Sequence, residues 1–514
     1  MPRPVKGGKT VDVPAVVAPA TSANSQNLQN LQASVDPLIS LCDGCEFWRA
    51  TDGVPYATIP RNGHRENWRI EHPEFRDWLS HKCFVAYDDV PTAKALKDAV
   101  HTLCGLAKYA GKTYPVFLRV AEHDGRTYID LVDDHWRAIE IDSTRWRVVD
   151  SPPVRFRRVK AMLPLPVPDR GGSVSELREF VNVSDRHWPL LLAWLVTAFR
   201  PNGPYPILKL LGEQGSAKTT TARVVRSLID PNSAPVRSAT QSERDLMISA
   251  NNAWIVGFDN LSSIKPEYSD ALCRLSTGGG FSTRTLYKND EETIFDAKRP
   301  IILNGISDMG FRSDLIDRSL VLELPEIERG QRRSEESIWA EFEVARPRIL
   351  GALFTAVAGT MQNLPNVAEP EKGWPRMADF AKWAVAAEVP LGISQGGFLK
   401  AYNANYEEAS FAVIESSPIL SGILFVLNRD GKIHDTASNL LGTLVGIAGR
   451  DSNKLRDENW PKNAKALSQH LNRIKPNLRL AGFEISRDTE DNKKRWLINL
   501  PKDKIEELFE RVSK

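Results

Sequence analysis

Cysteine is scarce in this chain, with five in 514 residues. A low, odd count in so long a chain excludes a disulfide framework as the organising principle and fits a reducing compartment. Long apolar runs are missing as well: the most apolar stretch, residues 188–199 (WPLLLAWLVTAF), falls well short of the ~20 residues that span a bilayer. No basic-then-apolar segment opens the sequence, so the cytoplasm is the expected location and a membrane is not an expected partner. Net charge is nearly absent too, since 67 Lys and Arg face 65 Asp and Glu. That balance excludes a globally basic surface; any nucleic-acid contact must be local. The pair Cys42 and Cys45 has the C-x-x-C spacing, but only His81 and Cys83 stand near to complete a metal quartet. Without a second tight ligand pair the expectation is isolated thiols beside Phe47 and Trp48.

A chain of this length calls for several domains, since each usually takes ~100–200 residues. Residues 1–35 are rich in Pro, Ala, Ser, Asn and Gln, which predicts a disordered arm whose Arg3, Lys6 and Lys9 are solvated. Residues 36–170 alternate in short β-like runs with some helix, predicting an α+β domain to which no catalysis is assigned. Asp124-Gly125 between two alternating runs predicts a hairpin. Trp68, Trp78, Trp136 and Trp146 are expected in the core and on sheet faces. The stretch LPLPVPDRGG at 163–172 is a breaker-rich boundary. Beyond it we expect an ATPase core at 171–330, a helical subdomain at 331–415 and a further domain at 416–514.

The chemistry is concentrated in LKLLGEQGSAKTTTARVV, residues 208–225. It follows the phosphate-loop pattern G-x-x-x-x-G-K-[ST], except that Ala217 stands in place of the second glycine. An apolar strand at 207–211, a glycine loop and a helix from Lys218 give the context the motif needs. Polyphosphate requires several N–H donors converging at a helix N-terminus with no side chain in the way. Gly212, Gln214, Gly215, Ser216, Ala217, Lys218, Thr219 and Thr220 are the candidate ATP-binding residues, Lys218 reaching the β- and γ-phosphates and Thr219 the magnesium ion. At Ala217 the loop passes into the helix, so an ordinary negative φ is expected and the extra methyl is tolerable.

The remaining parts of such a site follow in order. NAWIVGFDN, at 252–260, is a buried-type strand ending in Asp259, the form of a second magnesium-side carboxylate. RPIILNGI, at 299–306, is an apolar strand ending in Asn304, suited to hold water or the γ-phosphate. DLIDRSLVLELP, at 314–325, supplies Arg318 before another strand. Asn260 stands beside Asp259, where a second carboxylate would polarise water; Asn orients water without taking its proton, so slow hydrolysis is expected. Glu213 and Asp270 are alternative bases without a specific signal.

On GEQGSAKTT, AWIVGFDN, LCRLSTGGGFSTRTLYKND, RPIILNGI and DLIDRSL the chain, over residues 172–325, resembles the superfamily-three helicases of the AAA+ group, specifically their relatives on phages and integrated mobile elements. The resemblance implies an α/β P-loop NTPase core of the AAA+ type, ATP and Mg²⁺ as cofactors, and a homo-oligomeric, hexameric ring in a bacterial cytoplasm. Asn304 is similar to the family's sensor and Arg318, with Arg312 as second candidate, to its arginine finger supplied in trans. Within GGGFSTRTLYKNDEETIF, Lys288 resembles the family's channel-hairpin lysine on single-stranded DNA, with Arg284 and Tyr287 beside it. A lysine gripping phosphate needs no base readout.

Near the C-terminus Ala464, Leu467, Leu471 and Ile474 recur at helical spacing, with Lys465, Gln469 and Arg473 on another face. Two strands joined by a loop with Lys493, Lys494 and Arg495 follow. Helix plus basic hairpin is the outline of a winged helix, so these residues are candidate contacts to duplex DNA. The expected function is an ATP-hydrolysing, ring-forming DNA translocase or helicase for replication of a phage or mobile element. The alternative is an ATP-switched DNA-binding assembly protein, a loader, regulator or defence component, that does not unwind. A small-molecule P-loop kinase would leave Asn304 and Arg318 without a role.

Overall fold

Two compact units divide between Val116 and Phe117, inside the stretch expected as one α+β domain. The computed structural model describes residues 37–238, 242–261, 264–279, 281–284, 292–295, 297–305, 313–449, 454–457, 459–490 and 492–512. Residues 1–35, expected as an arm, lie outside the described residues.

In the first unit a sheet of four strands, in the order His64–Arg69, Pro55–Arg61, Glu46–Ala50 and Lys112–Tyr114, is covered by the helices Pro73–Tyr87 and Ala93–Tyr109. The buried side chains of Ile59, Phe75, Leu79 and Leu103 form its core, and Cys42, Cys83 and Cys104 are part of it. Trp48 is fully buried, stacked on Tyr56 at 4.7 Å between ring centroids, and its indole N–H donates to Thr58 Oγ1 at 2.9 Å. Trp68 and Trp78 pack against the core, which is the structural role expected of them. Among the described residues no group of three His, Cys, Asp or Glu is placed to hold a metal.

The second unit opens with an antiparallel meander, Val120–His123, Arg126–Asp130, Ala138–Ile141 and Trp146–Val149, paired in chain order. Asp124 and Gly125 turn its first hairpin with φ of 50° and 71°, the double left-handed turn that matches strand twist. Val120, Ile129 and Ile141 share one hydrophobic core with the helix Trp188–Ala198 and with Leu208 and Leu210. Arg119 and Asp230, both without solvent exposure, form an ion pair at 3.1 Å, and Arg119 also donates to the carbonyls of Asp130 and Leu163 at 3.0 Å each. Residues 117–165 are thereby tied to the segment that follows the phosphate-loop helix.

At the centre lies a five-stranded sheet. Its strands in chain order are β1 (Ile207–Leu211), β2 (Arg237–Ser238), β3 (Val256–Leu261), β4 (Ile301–Gly305) and β5 (Ser319–Glu323). Their spatial order is β2-β3-β4-β1-β5, and every pairing is parallel. β1 is buried on both faces, Leu208 and Leu210 to one core and Ile207 and Leu211 to the other, as period-two alternation requires of a central parallel strand. Helix α1 (Lys218–Ser227) follows β1, and the four-residue helix α2 (Ser313–Ile316) precedes β5. Between β3 and β4 the segments Phe281–Arg284 and Glu292–Phe295 pair as an antiparallel hairpin.

The chain then becomes helical, with α3 (Glu335–Asn363) and, further on, α4 (Gly397–Glu415). The C-terminal part runs helix Leu420–Asp430, strand Lys432–Thr436, helix Ala437–Ala448, α5 (Ala464–Leu480), strands Glu484–Glu490 and Lys493–Asn499, and helix Lys502–Val512. Its sheet is antiparallel with Lys493–Asn499 in the middle. On α5 Leu467, Leu471 and Ile474 are buried, while Lys465, Gln469 and Arg473 are exposed. No single described helix is long and apolar enough to cross a membrane.

Candidate functional site

β1 ends at Leu211 and the chain turns at once through residues 212–217 into α1. Gly212 sits at φ 145°, and a Cβ there would lie 2.7 Å from both the Leu324 carbonyl oxygen and Ser216 Oγ. Only glycine fits. Gly215 is at φ 91°. Ser216 is buried and its hydroxyl donates back to the Glu213 carbonyl at 2.9 Å, which closes the loop on itself. Asn182, which carried no signal in the sequence, donates its side-chain N–H to the carbonyls of Ser216 at 3.1 Å and Pro325 at 2.6 Å. Gln214 is exposed at the loop tip, and Thr220 lies half-buried in the first turn of α1.

Ala217 corrects the expectation made for it. Its φ and ψ are 60° and 31°, in the left-handed region that a β-carbon disfavours. The position has kept the backbone of a glycine without being one.

Lys218 lies across the mouth of the loop, its ammonium donating to the carbonyls of Gly212 at 2.8 Å and Glu213 at 2.6 Å. Partial desolvation lowers its pKa from the usual lysine range, and Asp259 works against that shift. Thr219 joins three strands' worth of chemistry. Its hydroxyl is 3.2 and 3.1 Å from the two Asp259 carboxylate oxygens and accepts from Asn304 Nδ2 at 3.2 Å. The order of the sheet explains the meeting: β4 lies between β3 and β1, so Asp259 and Asn304 come to the same edge at which α1 begins. Asn304 is only 1% exposed.

The register of β3 against β4 shifts between Phe258 and Leu261. The irregularity falls on Asp259 and Asn260, as a bulge does when it re-aims a side chain. Asn260 is left-handed at φ 55°, and its N–H donates to Asp259 Oδ1 at 2.8 Å. Asn is one of the few residues that take this backbone readily, so its place beside the carboxylate has a conformational reason. Glu213 is exposed on the loop, and Asp270 is on the helix Pro266–Thr277. Thr219 and Asp259 present hard oxygen donors, which suit a magnesium ion, and the backbone of 213–219 at the start of α1 suits a polyphosphate.

Two family models match this chain. Residues 174–410 match the actinomycete integrative conjugative element replication protein, and residues 419–507 match the C-terminal domain of the same protein. Together they take in more than half of the sequence. The chain belongs to this family of replication proteins. Comparison with curated proteins gives no match. Among solved structures, the apo C-terminal region of NrS-1 is similar at 14% identity and a TM-score of 0.39, over 91% of this chain and 99% of that one. The structure of SCCmec type IV Cch, an active helicase, is similar at 12% identity and a TM-score of 0.48, over 88% and 92%.

Arg318 of this replication protein is not brought to the phosphate loop. Its carbonyl accepts from the Ile207 N–H at the start of β1, so it lies at the opposite edge of the sheet, a strand length of about 13 Å from the loop. There Nη1 donates to the Asp314 carbonyl at 2.9 Å. Arg312, Tyr287 and Lys288 lie outside the described residues, and of Arg284 only its place at the end of a hairpin strand is described. Lys493 and Lys494 are exposed next to the turn of the C-terminal hairpin, and Arg495 pairs with Glu490 at 3.2 Å. Arg473 donates to His470 Nδ1 at 3.1 Å. The C-terminal half of α5 is docked beside the parallel sheet: Ser313 Oγ meets the Arg473 carbonyl at 3.1 Å and Asn477 Oδ1 at 2.7 Å, and α5 packs along α4.

Proposed function

We propose that this replication protein is an ATP-hydrolysing, ring-forming DNA translocase, the replicative helicase of its element, built on an AAA+ core of the superfamily-three type. The observation that carries the reading is the convergence of Thr219, Asp259 and Asn304 beside the Lys218 loop, at one edge of a parallel sheet in which β4 separates β3 from β1. Phosphoryl transfer depends mainly on positioning and on neutralising charge. Lys218 and the loop N–H groups would bind the phosphates, Thr219 and Asp259 would hold Mg²⁺, and Asn304 would orient water. The ion, when bound, neutralises the charge that develops on the phosphates.

The place of Arg318 at the far edge of its own sheet supports action in trans, on the site of a neighbouring subunit of a homo-oligomeric, hexameric ring. Arg284, Tyr287 and Lys288, which lie between β3 and β4 in the sequence, would contact single-stranded DNA in the channel of that ring. The C-terminal order of helix, strand, two helices and two strands supports a winged helix that meets duplex DNA with Lys465, Arg473, Lys493, Lys494 and Arg495. The cytoplasm of a bacterium is where such a protein works.

The test is steady-state ATP hydrolysis with and without single-stranded DNA, beside Lys218→Ala and Lys288→Ala. Stimulation by DNA that disappears in both variants is the expected result. One specific observation favours a second reading, an ATP-switched DNA-binding assembly protein: Asn260 offers no carboxylate beside Asp259. Tight ATP binding without DNA-dependent turnover would decide for the switch.

A further inference from the structure

Beyond Lys218, a second cation reaches the phosphate loop. Residues 324–334 run from the end of β5 to α3, and they carry Arg332 to the outside of the loop. A Cβ built on Gly215 would lie 2.8 Å from Arg332 Nη2 and 3.3 Å from its Cζ, so the guanidinium rests against the loop backbone at the point where a side chain is absent. Its Nε donates to the Ile327 carbonyl at 3.3 Å, which orients the fork. No carboxylate pairs with Arg332 among the described residues. The adjacent Arg333 is different: it is committed to Glu341 at 2.6 Å and to the Glu179 carbonyl at 3.3 Å. Of the two cations at the loop, Lys218 is satisfied by the loop's own carbonyls, while Arg332 offers two terminal N–H₂ groups to whatever anion enters.

We propose that Arg332 is a phosphate-binding residue of the same subunit, closing on the β- and γ-phosphates of ATP from the side of Gly215 while Lys218 holds them from within the loop. A planar fork of donors matches phosphate oxygens in a way a single ammonium does not. The absence of a side chain at Gly215 then serves two ends, the left-handed turn and the room for Arg332. This inference rests on the loop being a nucleotide site, and the experiment separates the two ideas.

ATP affinity is measured by equilibrium titration of the full chain at low and high salt for the unaltered protein, Lys218→Ala, Arg332→Ala, Arg332→Lys and Arg333→Ala. Loss of a charge-assisted contact in Arg332→Ala raises the Kd by about tenfold or more at low salt. Added salt narrows that gap, and Arg332→Lys recovers part of the affinity because charge returns without the fork. Arg333→Ala leaves the Kd unchanged. If Lys218→Ala loses ATP while Arg332→Ala binds it like the unaltered protein at both salt concentrations, the role of Arg332 falls and the loop stands. If the unaltered protein binds no ATP, both fall together.

Discussion

Ala217 holds a backbone conformation that costs a residue with a β-carbon roughly 1–2 kcal/mol. Glycine removes that strain but brings about 0.4–1 kcal/mol of extra unfolded-chain entropy. We therefore expect Ala217→Gly to stabilise the protein by up to about 1 kcal/mol, seen as a higher unfolding midpoint, with ATP affinity retained or improved. A fall in stability would mean that the methyl makes a contact worth more than the strain. Asn260 is the companion case. Asn260→Glu places a longer side chain at φ 55°, so a loss of stability of about 1 kcal/mol is expected in thermal or denaturant unfolding, whatever the new carboxylate does for hydrolysis. Lys218→Ala removes the ammonium that lies across the loop mouth, and tight ATP binding is expected to vanish; unchanged affinity in a titration would end the phosphate-loop reading.

At the scale of elements, much of the site was legible because it rests on local signals. An apolar run, a glycine loop and an amphipathic helix are written in consecutive residues, and β1, α1 and β4 stand where their patterns put them, while β3 begins only at Val256, after a helix that ends at Asn252, and runs past Asp259 to Leu261. The sign of φ at Ala217 was not legible, since composition suggests only that alanine tolerates what it is given. Nor was the shift of register in β3, which comes from pairing with β4, a strand some forty residues away in the chain. Arg332 and Asn182 were missed for the same reason: both reach the loop through tertiary contact, and neither carries a pattern. The three-and-four spacing on α5 did identify its buried face, but nothing local announced that its C-terminal half docks on α2 and α4. Arg318, two residues beyond α2, belongs to this scale as well. Arg318→Ala is expected to bind ATP almost normally and to lose hydrolysis, and mixing it with Lys218→Ala subunits should restore turnover at interfaces that pair an intact loop with an intact arginine. Failure to restore any turnover would argue against action in trans.

At the scale of the whole molecule, stability is linked to pH through two buried histidines. His187 and His470 are held down to about pKa 4 by burial, against ~6.5 in an unfolded chain. Arg473 can only donate, so His470 Nδ1 accepts and the ring is neutral, its Nε2–H facing Ser417 Oγ at 2.8 Å. Between pH 4 and 6.5 the unfolded chain binds more protons than the folded one. Their contribution is thus complete above pH 6.5 and is lost as pH falls toward 4, by up to about 3 kcal/mol for each histidine. Denaturant midpoints between pH 7 and 4.5 check this, and His470→Gln should flatten the slope.

The buried pair of Arg119 and Asp230 has a consequence for where the molecule can be divided. The proline-rich stretch at 163–172 looks like a place to cut, yet Asp230, which also accepts from the N–H groups of Trp254 and Ile255 at 3.0 and 3.1 Å, would lose Arg119 if the chain began there. Removing one partner of such a pair typically costs 3–5 kcal/mol. A fragment of residues 117–514 is expected to unfold cooperatively, near the midpoint of the full chain, and one of residues 171–514 to be markedly weaker. The separable piece is then the longer one: Arg226, 3.7 Å from Asp230, would stay with the shorter fragment, but the closer cation, Arg119, comes only with the segment that leads into the small sheet.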